Sequence, residues 1–172
     1  MDNKKSNLYT RLVFSDNPFL CFLMSFVTRY NPYLYWKFRE IVINPQKNYP
    51  PLLKLLLLVY IKRTDAFWGC SFGTGINNGA KFKSRPILEH GLNGIIIGHD
   101  AIIGENVTIY QRVTISQYGC EVGDNVVIGA NATLLSGVKV GNNVRIGANC
   151  VVVEDIPDGA TVVLQKPRVI IK

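Results

Sequence analysis

His90 is one of only two histidines in the chain, and it stands in the segment LEHGLNGII that begins at Leu88. An imidazole titrates near neutral pH, so it can take the proton of a hydroxyl as that hydroxyl attacks a carbonyl carbon. The same ring at the same place could instead be a structural histidine at a chain corner, and the residues alone leave both readings open. His99, the other histidine, falls in a regular polar stretch and is expected at the surface. Zinc hydration chemistry of the three-histidine kind is excluded, because the chain has two histidines in total. Cys21, Cys70, Cys120 and Cys150 form no C-x-x-C pair, so reduced thiols are expected, with no metal site and no disulfide framework.

The element that must position His90 is a repeat. From Ile97 the chain reads in sixes: IGHDAI, IGENVT, IYQRVT, ISQYGC, then, skipping Glu121, VGDNVV, IGANAT, LLSGVK, VGNNVR, IGANCV and VVEDIP. The first position is aliphatic in ten of ten, the second is glycine in six and the fourth is Asn, Asp or Gly in eight. A branched aliphatic every six residues builds an apolar column inside a coil of short strands. The fourth position requires a left-handed backbone, which Asn, Asp and Gly tolerate best. Sixes without the second-position glycine recur every third six, so three faces make one turn of a prism. Weaker sixes extend backwards from Leu88, Phe82 and Ile76. The rhythm fails once, between Leu88 and Ile97, where nine residues stand in place of six and His90 lies among them.

This pattern resembles the hexapeptide-repeat acyltransferases over residues 76–172. The resemblance implies a mainly β fold, a left-handed parallel β-helix, behind a short N-terminal α-helical region. The segments LEHGLNGIIIG and AIIGENVTIYQRVTI narrow it to the serine acetyltransferases, and further to the O-acetyltransferases of exopolysaccharide and capsule gene clusters. In that family the matching histidine is the general base, in a cleft between subunits of a homotrimer, and acetyl-CoA is the co-substrate. Coenzyme A lies along glycine-alanine steps that match Gly129-Ala130 and Gly147-Ala148. Its phosphates implicate Lys166 and Arg168 and, less strongly, Lys139 and Arg145. Two departures follow. The aspartate that orients the family's histidine aligns with Gly75, which leaves Glu89 or a backbone carbonyl to orient His90. The second histidine of the serine enzymes rides on an inserted loop where this chain has only Gln117–Glu121. The sequence therefore favours a hydroxyl of a bacterial surface polysaccharide or its precursor over free serine. A non-catalytic β-helix scaffold is the remaining alternative.

Residues 1–66 precede the expected β-helix domain of 67–172 and its C-terminal tail. Asn-Pro pairs at Asn17-Pro18 and Asn31-Pro32, and Pro50-Pro51, start helices predicted over 18–29, 32–43 and 51–63. Phe19, Leu20, Phe22, Leu23, Phe26 and Val27 make the first apolar nearly all round, and packing against the chain or a neighbouring subunit is the expected cover. All the net charge of +7 lies in residues 1–63, with ten Lys/Arg against three Asp/Glu. Such a basic third suits a solvated face or a peripheral membrane contact through residues 1–63, and no nucleic-acid partner is expected. The apolar runs 17–28 and 50–61 are too short to span a bilayer, and neither is followed by a small-residue cleavage site. A cytoplasmic location, peripheral at the inner face of the membrane, is the expectation.

Overall fold

The computed structural model describes residues 18–165, so Lys166 and Arg168 lie outside the described residues. Three helices come first: α1 (Pro18–Thr28), α2 (Pro32–Ile43) and α3 (Pro51–Trp68). Asn31 caps α2 by accepting from the Leu34 N–H at 3.1 Å, as its position before proline leads one to expect. The third helix runs five residues past the predicted end at Arg63, to Trp68. Thr64 and Asp65 are buried in that extra turn, and Gly69 ends it in a left-handed conformation at φ 59°.

The rest is a parallel β-helix of two-residue strands on three faces. The first face stacks β1 (Ser71–Phe72), β5 (Ile96–Ile97), β8 (Thr114–Ile115), β11 (Thr133–Leu134) and β14 (Val151–Val152). Between β1 and the next face a small hairpin pairs β2 (Thr74–Gly75) with β3 (Asn78–Gly79). The second face stacks β4 (Lys81–Phe82), β6 (Ile102–Ile103), β9 (Glu121–Val122) and β12 (Lys139–Val140). The third stacks β7 (Thr108–Ile109), β10 (Val127–Ile128), β13 (Arg145–Ile146) and β15 (Thr161–Val162), with Ile87 bridged to Thr108 below them. First-position aliphatics such as Ile97, Ile103, Ile109, Ile115, Ile128 and Leu134 fill the interior. Fifth-position Ala101, Val107, Val113, Val126, Ala132 and Val144 are fully buried at the corners. Asn106, Asn125, Asn131, Asn143 and Asn149 all have φ between 53° and 60°, which is why the fourth position selects asparagine.

Two details of the repeat differ from the sequence reading. Glu121 is not the extra residue; it sits in β9, paired with Ile102 and Lys139, and the extra residue belongs to the corner where Tyr118 and Gly119 both have positive φ. The backward extension holds for Leu88 and Phe82, but Ile76 lies exposed in the hairpin and Phe72 fills the core in its place.

A buried arginine fastens the helices to the first coil. Arg39 of α2 is 3% exposed; it donates to the carbonyls of Phe72 (2.8 Å) and Ala80 (2.6 Å) and to the Thr74 hydroxyl (3.1 Å). Its guanidinium lies over the rings of Phe82 and Trp36, 4.7 and 5.7 Å from their centroids. Burial pushes it down to about 10. Lys54, the one charge in the second apolar run, is also buried and ties α3 to the carbonyl of Asn44 and the side chain of Asn77. Cys70, Cys120 and Cys150 are free and buried.

Candidate active-site edge

The corner between the third and first faces gathers most of the candidate residues. The register Ile109↔Ile128↔Ile146 places Tyr110, Gly129 and Gly147 one above another, and then Gln111, Ala130 and Ala148. Successive coils are about 4.8 Å apart. In the coil below, Ile87 pairs with Thr108 and the chain leaves the prism after Leu88. Residues 89–94 form two linked turns, with Gly91 and Gly94 at φ 69° and 65°, before Ile95 and Ile96 rejoin the first face. This is the failed rhythm between Leu88 and Ile97. Leu92 and Ile95 are fully buried and anchor the excursion, while Glu89 and His90 stand exposed on its outer side. The His90 ring faces the Tyr110 ring at 5.7 Å between centroids.

The backbone of this corner differs from that of the corner between the second and third faces. At the corner between the second and third faces, the third-position amides are capped by the coil above. Glu105 N–H donates to Asp124 (2.8 Å), Asp124 N–H to Asn142 (2.8 Å) and Asn142 N–H to Asp158 (2.7 Å). At the His90 corner the third positions are Gln111, Ala130 and Ala148, and an alanine methyl cannot cap. Among the described residues nothing accepts from the N–H groups of Ala130 and Ala148. An unpaired backbone donor takes water or a ligand. The edge thus offers a ladder of free donors leading from the His90 coil. Gly129 keeps the ladder tight, since a Cβ there would stand 2.6 Å from the Ala148 nitrogen.

The remaining candidates scatter. Glu89 is adjacent to His90 in the chain, but no hydrogen bond joins the two side chains. Gly75 lies in the β2–β3 hairpin at a different corner, so the position that aligns with the family's orienting aspartate is not beside His90 within one chain. His99 is exposed at that other corner, as expected. Lys139 sits on the second face and pairs with Glu121 at 3.2 Å. Arg145 is exposed on the third face, two residues before Gly147, and has no ion pair among the described residues. No cluster of three metal-ligating side chains occurs among the described residues.

Sequence reasoning missed two residues. Tyr110 and Gln111 occupy positions where the coils above carry glycine and alanine. The six IYQRVT announces the difference, because it replaces both small residues at once. The Gln111 Oε1 atom is buried with no hydrogen-bond partner among the described residues.

Residues 119–153 match the family model described as bacterial transferase hexapeptide (six repeats). A serine acetyltransferase of Staphylococcus aureus (strain Mu50 / ATCC 700699) is 45% identical over 98 residues, covering 53% of this chain and 46% of the relative. The chain therefore spans less than half the length of the curated relatives it matches. Among solved structures, Neisseria gonorrhoeae serine acetyltransferase in complex with serine superposes with a TM-score of 0.56 at 26% identity, covering 96% of this chain and 62% of that one. A serine acetyltransferase in complex with CoA gives a TM-score of 0.56 at 24% identity, covering 92% and 59%. The likeness supplies the hand of the coil, which strand pairing alone does not. The chain is thus similar to the bacterial transferase hexapeptide over residues 119–153, and its fold is a left-handed parallel β-helix similar to that of the serine acetyltransferases.

Proposed function

We propose that this chain transfers an acetyl group from acetyl-CoA to a hydroxyl, with His90 as general base. The observation that carries the reading is the single edge on which the His90 ring meets Tyr110 and the two open alanine amides stack in the coils above. The amides of Ala130 and Ala148 suit the carbonyl oxygens of a pantetheine arm, and Arg145, Lys166 and Arg168 are the cations proposed for the phosphates. His90 takes the hydroxyl proton as the oxygen attacks the thioester carbon. The tetrahedral oxyanion then collapses, the C–S bond breaks, and the thiolate leaves with the proton that His90 returns. Gln111 and Glu89 are proposed to orient the reacting groups. A homotrimer is proposed because the edge is open on its outer side, and a second chain would turn it into a cleft.

The relatives' names favour L-serine as acceptor. A hydroxyl of a surface glycan or its precursor is the second reading, carried by the corner at residues 116–120. That corner is a tight turn, held by Asp100 accepting from the Tyr118 and Gly119 N–H groups, and it holds no histidine. The test is a mass-spectrometric acceptor screen with acetyl-CoA, L-serine and a panel of glycans, beside a calorimetric titration of CoA. Efficient O-acetylserine formation decides for serine and transfer only to glycans for the second reading. No CoA binding would leave the scaffold alternative standing.

A further inference from the structure

The helical end of the molecule presents an apolar face that the described chain does not cover, and two arginines are set into it. On α1, Phe26 and Val27 are 71% and 74% exposed, and Phe22 packs edge-on against Phe26. On α3, Leu52, Leu56 and Val59 are exposed at helical spacing, and the stripe continues into Arg63 and Phe67. Among the described residues nothing covers this face of α1. Between the two helices lies a cavity of about 370 Å³ lined by Ser25, Phe26, Arg29, Tyr60, Arg63 and Thr64. Neither arginine has an ion pair among the described residues; Arg29 lies over the Phe67 ring at 5.0 Å.

Arg29 adds a second observation. It holds a left-handed backbone at φ 53° just past the end of α1, where a glycine or asparagine would rest without strain. Its carbonyl accepts from the Thr64 hydroxyl at 3.1 Å, which pins the turn beside the cavity that Arg29 lines. A cationic side chain kept at a strained position suggests a role for the side chain itself.

We infer that this end of the molecule seats on an anionic lipid surface, with a lipid phosphate held between Arg29 and Arg63. Two guanidinium groups in one cavity match a phosphate and repel an uncompensated cation. The surrounding Phe, Leu and Val side chains then enter the interfacial layer. No helix among the described residues is long and apolar enough to cross a membrane, so the contact is peripheral. The inference stands apart from the proposed chemistry, because neither arginine lies on the His90 edge.

The experiment is co-sedimentation of the full chain with phosphatidylglycerol and with phosphatidylcholine vesicles, at low and high salt. The wild type is expected to pellet with phosphatidylglycerol at low salt and to be released as salt rises. Arg29→Gly and Arg63→Gln should each weaken binding about fivefold, about what one cation near an anionic surface contributes. Arg29→Gly should also fold at least as stably as the wild type, because glycine relieves the backbone; that separates lost binding from lost structure. Absence of pelleting with phosphatidylglycerol at low salt overturns the inference, as does undiminished pelleting of the double variant. Light scattering on Leu56→Ser provides the other check. A drop in assembly mass would mean that a second copy of this chain covers the face, and would also overturn it.

Discussion

At the scale of single residues, the edge is governed by what is absent from side chains. Gly129 has no room for a Cβ, whereas at Gly119 nothing stands within 4 Å of the position a Cβ would take. Gly129→Ala should cost about 1–3 kcal/mol through overpacking against the next coil, measurable by chemical denaturation. It should also weaken CoA binding, because the Ala148 amide must shift. An unchanged midpoint would show that the coils are looser than the register implies. Asp65 offers a pH test. Burial pushes its carboxyl up, against the pull of the Tyr35 hydroxyl, which donates to it at 2.6 Å, and of Lys62. One of its oxygens is buried without a hydrogen bond. A raised carboxyl in the folded state binds its proton more tightly than in the unfolded chain. Its contribution is therefore full at low pH and is lost as pH rises through the raised value. Asp65→Asn keeps an acceptor for Tyr35 and removes the charge. The variant should exceed the wild type in melting temperature at neutral pH, with the gap closing on acidification below the usual carboxylate range. A gap independent of pH would mean that Asp65 does not titrate in that window.

At the scale of elements, Arg39 is the joint between two kinds of structure. Replacing it with leucine leaves the carbonyls of Phe72 and Ala80 without their donor in a buried place. A loss of about 3 kcal/mol is expected in equilibrium unfolding. A change below about 0.5 kcal/mol, the size of an ordinary surface substitution, would show that the helices are held by apolar contacts alone. Much of the element plan was legible in the sequence. Proline marks all three helix starts, with an asparagine before it at two of them, and the left-handed fourth position is written in asparagines. The end of α3 was not legible, because Thr64 and Asp65 look like a polar stop and are buried only through partners far along the chain, Arg29 and Tyr35. The extra residue was misplaced by a few positions because a period count locates an insertion only to within one corner. The break at His90 was visible as a lost rhythm. Tyr110 and Gln111 were not singled out, since their significance depends on which corner of the prism they occupy.

At the scale of the whole molecule, a β-helix edge with open backbone donors is joined to a helical end with an exposed, basic and apolar face. The open edge leads to the prediction of a homotrimer, with a neighbouring chain closing the cleft over His90. Light scattering at micromolar concentration should give about three times the chain mass, and a stable monomer would count against a shared cleft. The central claim is that His90 is the base on that edge. The most direct test measures acetyl-CoA consumption, by thiol release, with the accepted hydroxyl substrate for wild type and His90→Ala, alongside CoA binding. Turnover is expected to fall by roughly two to four orders of magnitude, with CoA affinity nearly unchanged. Turnover of His90→Ala at close to the wild-type rate would contradict it.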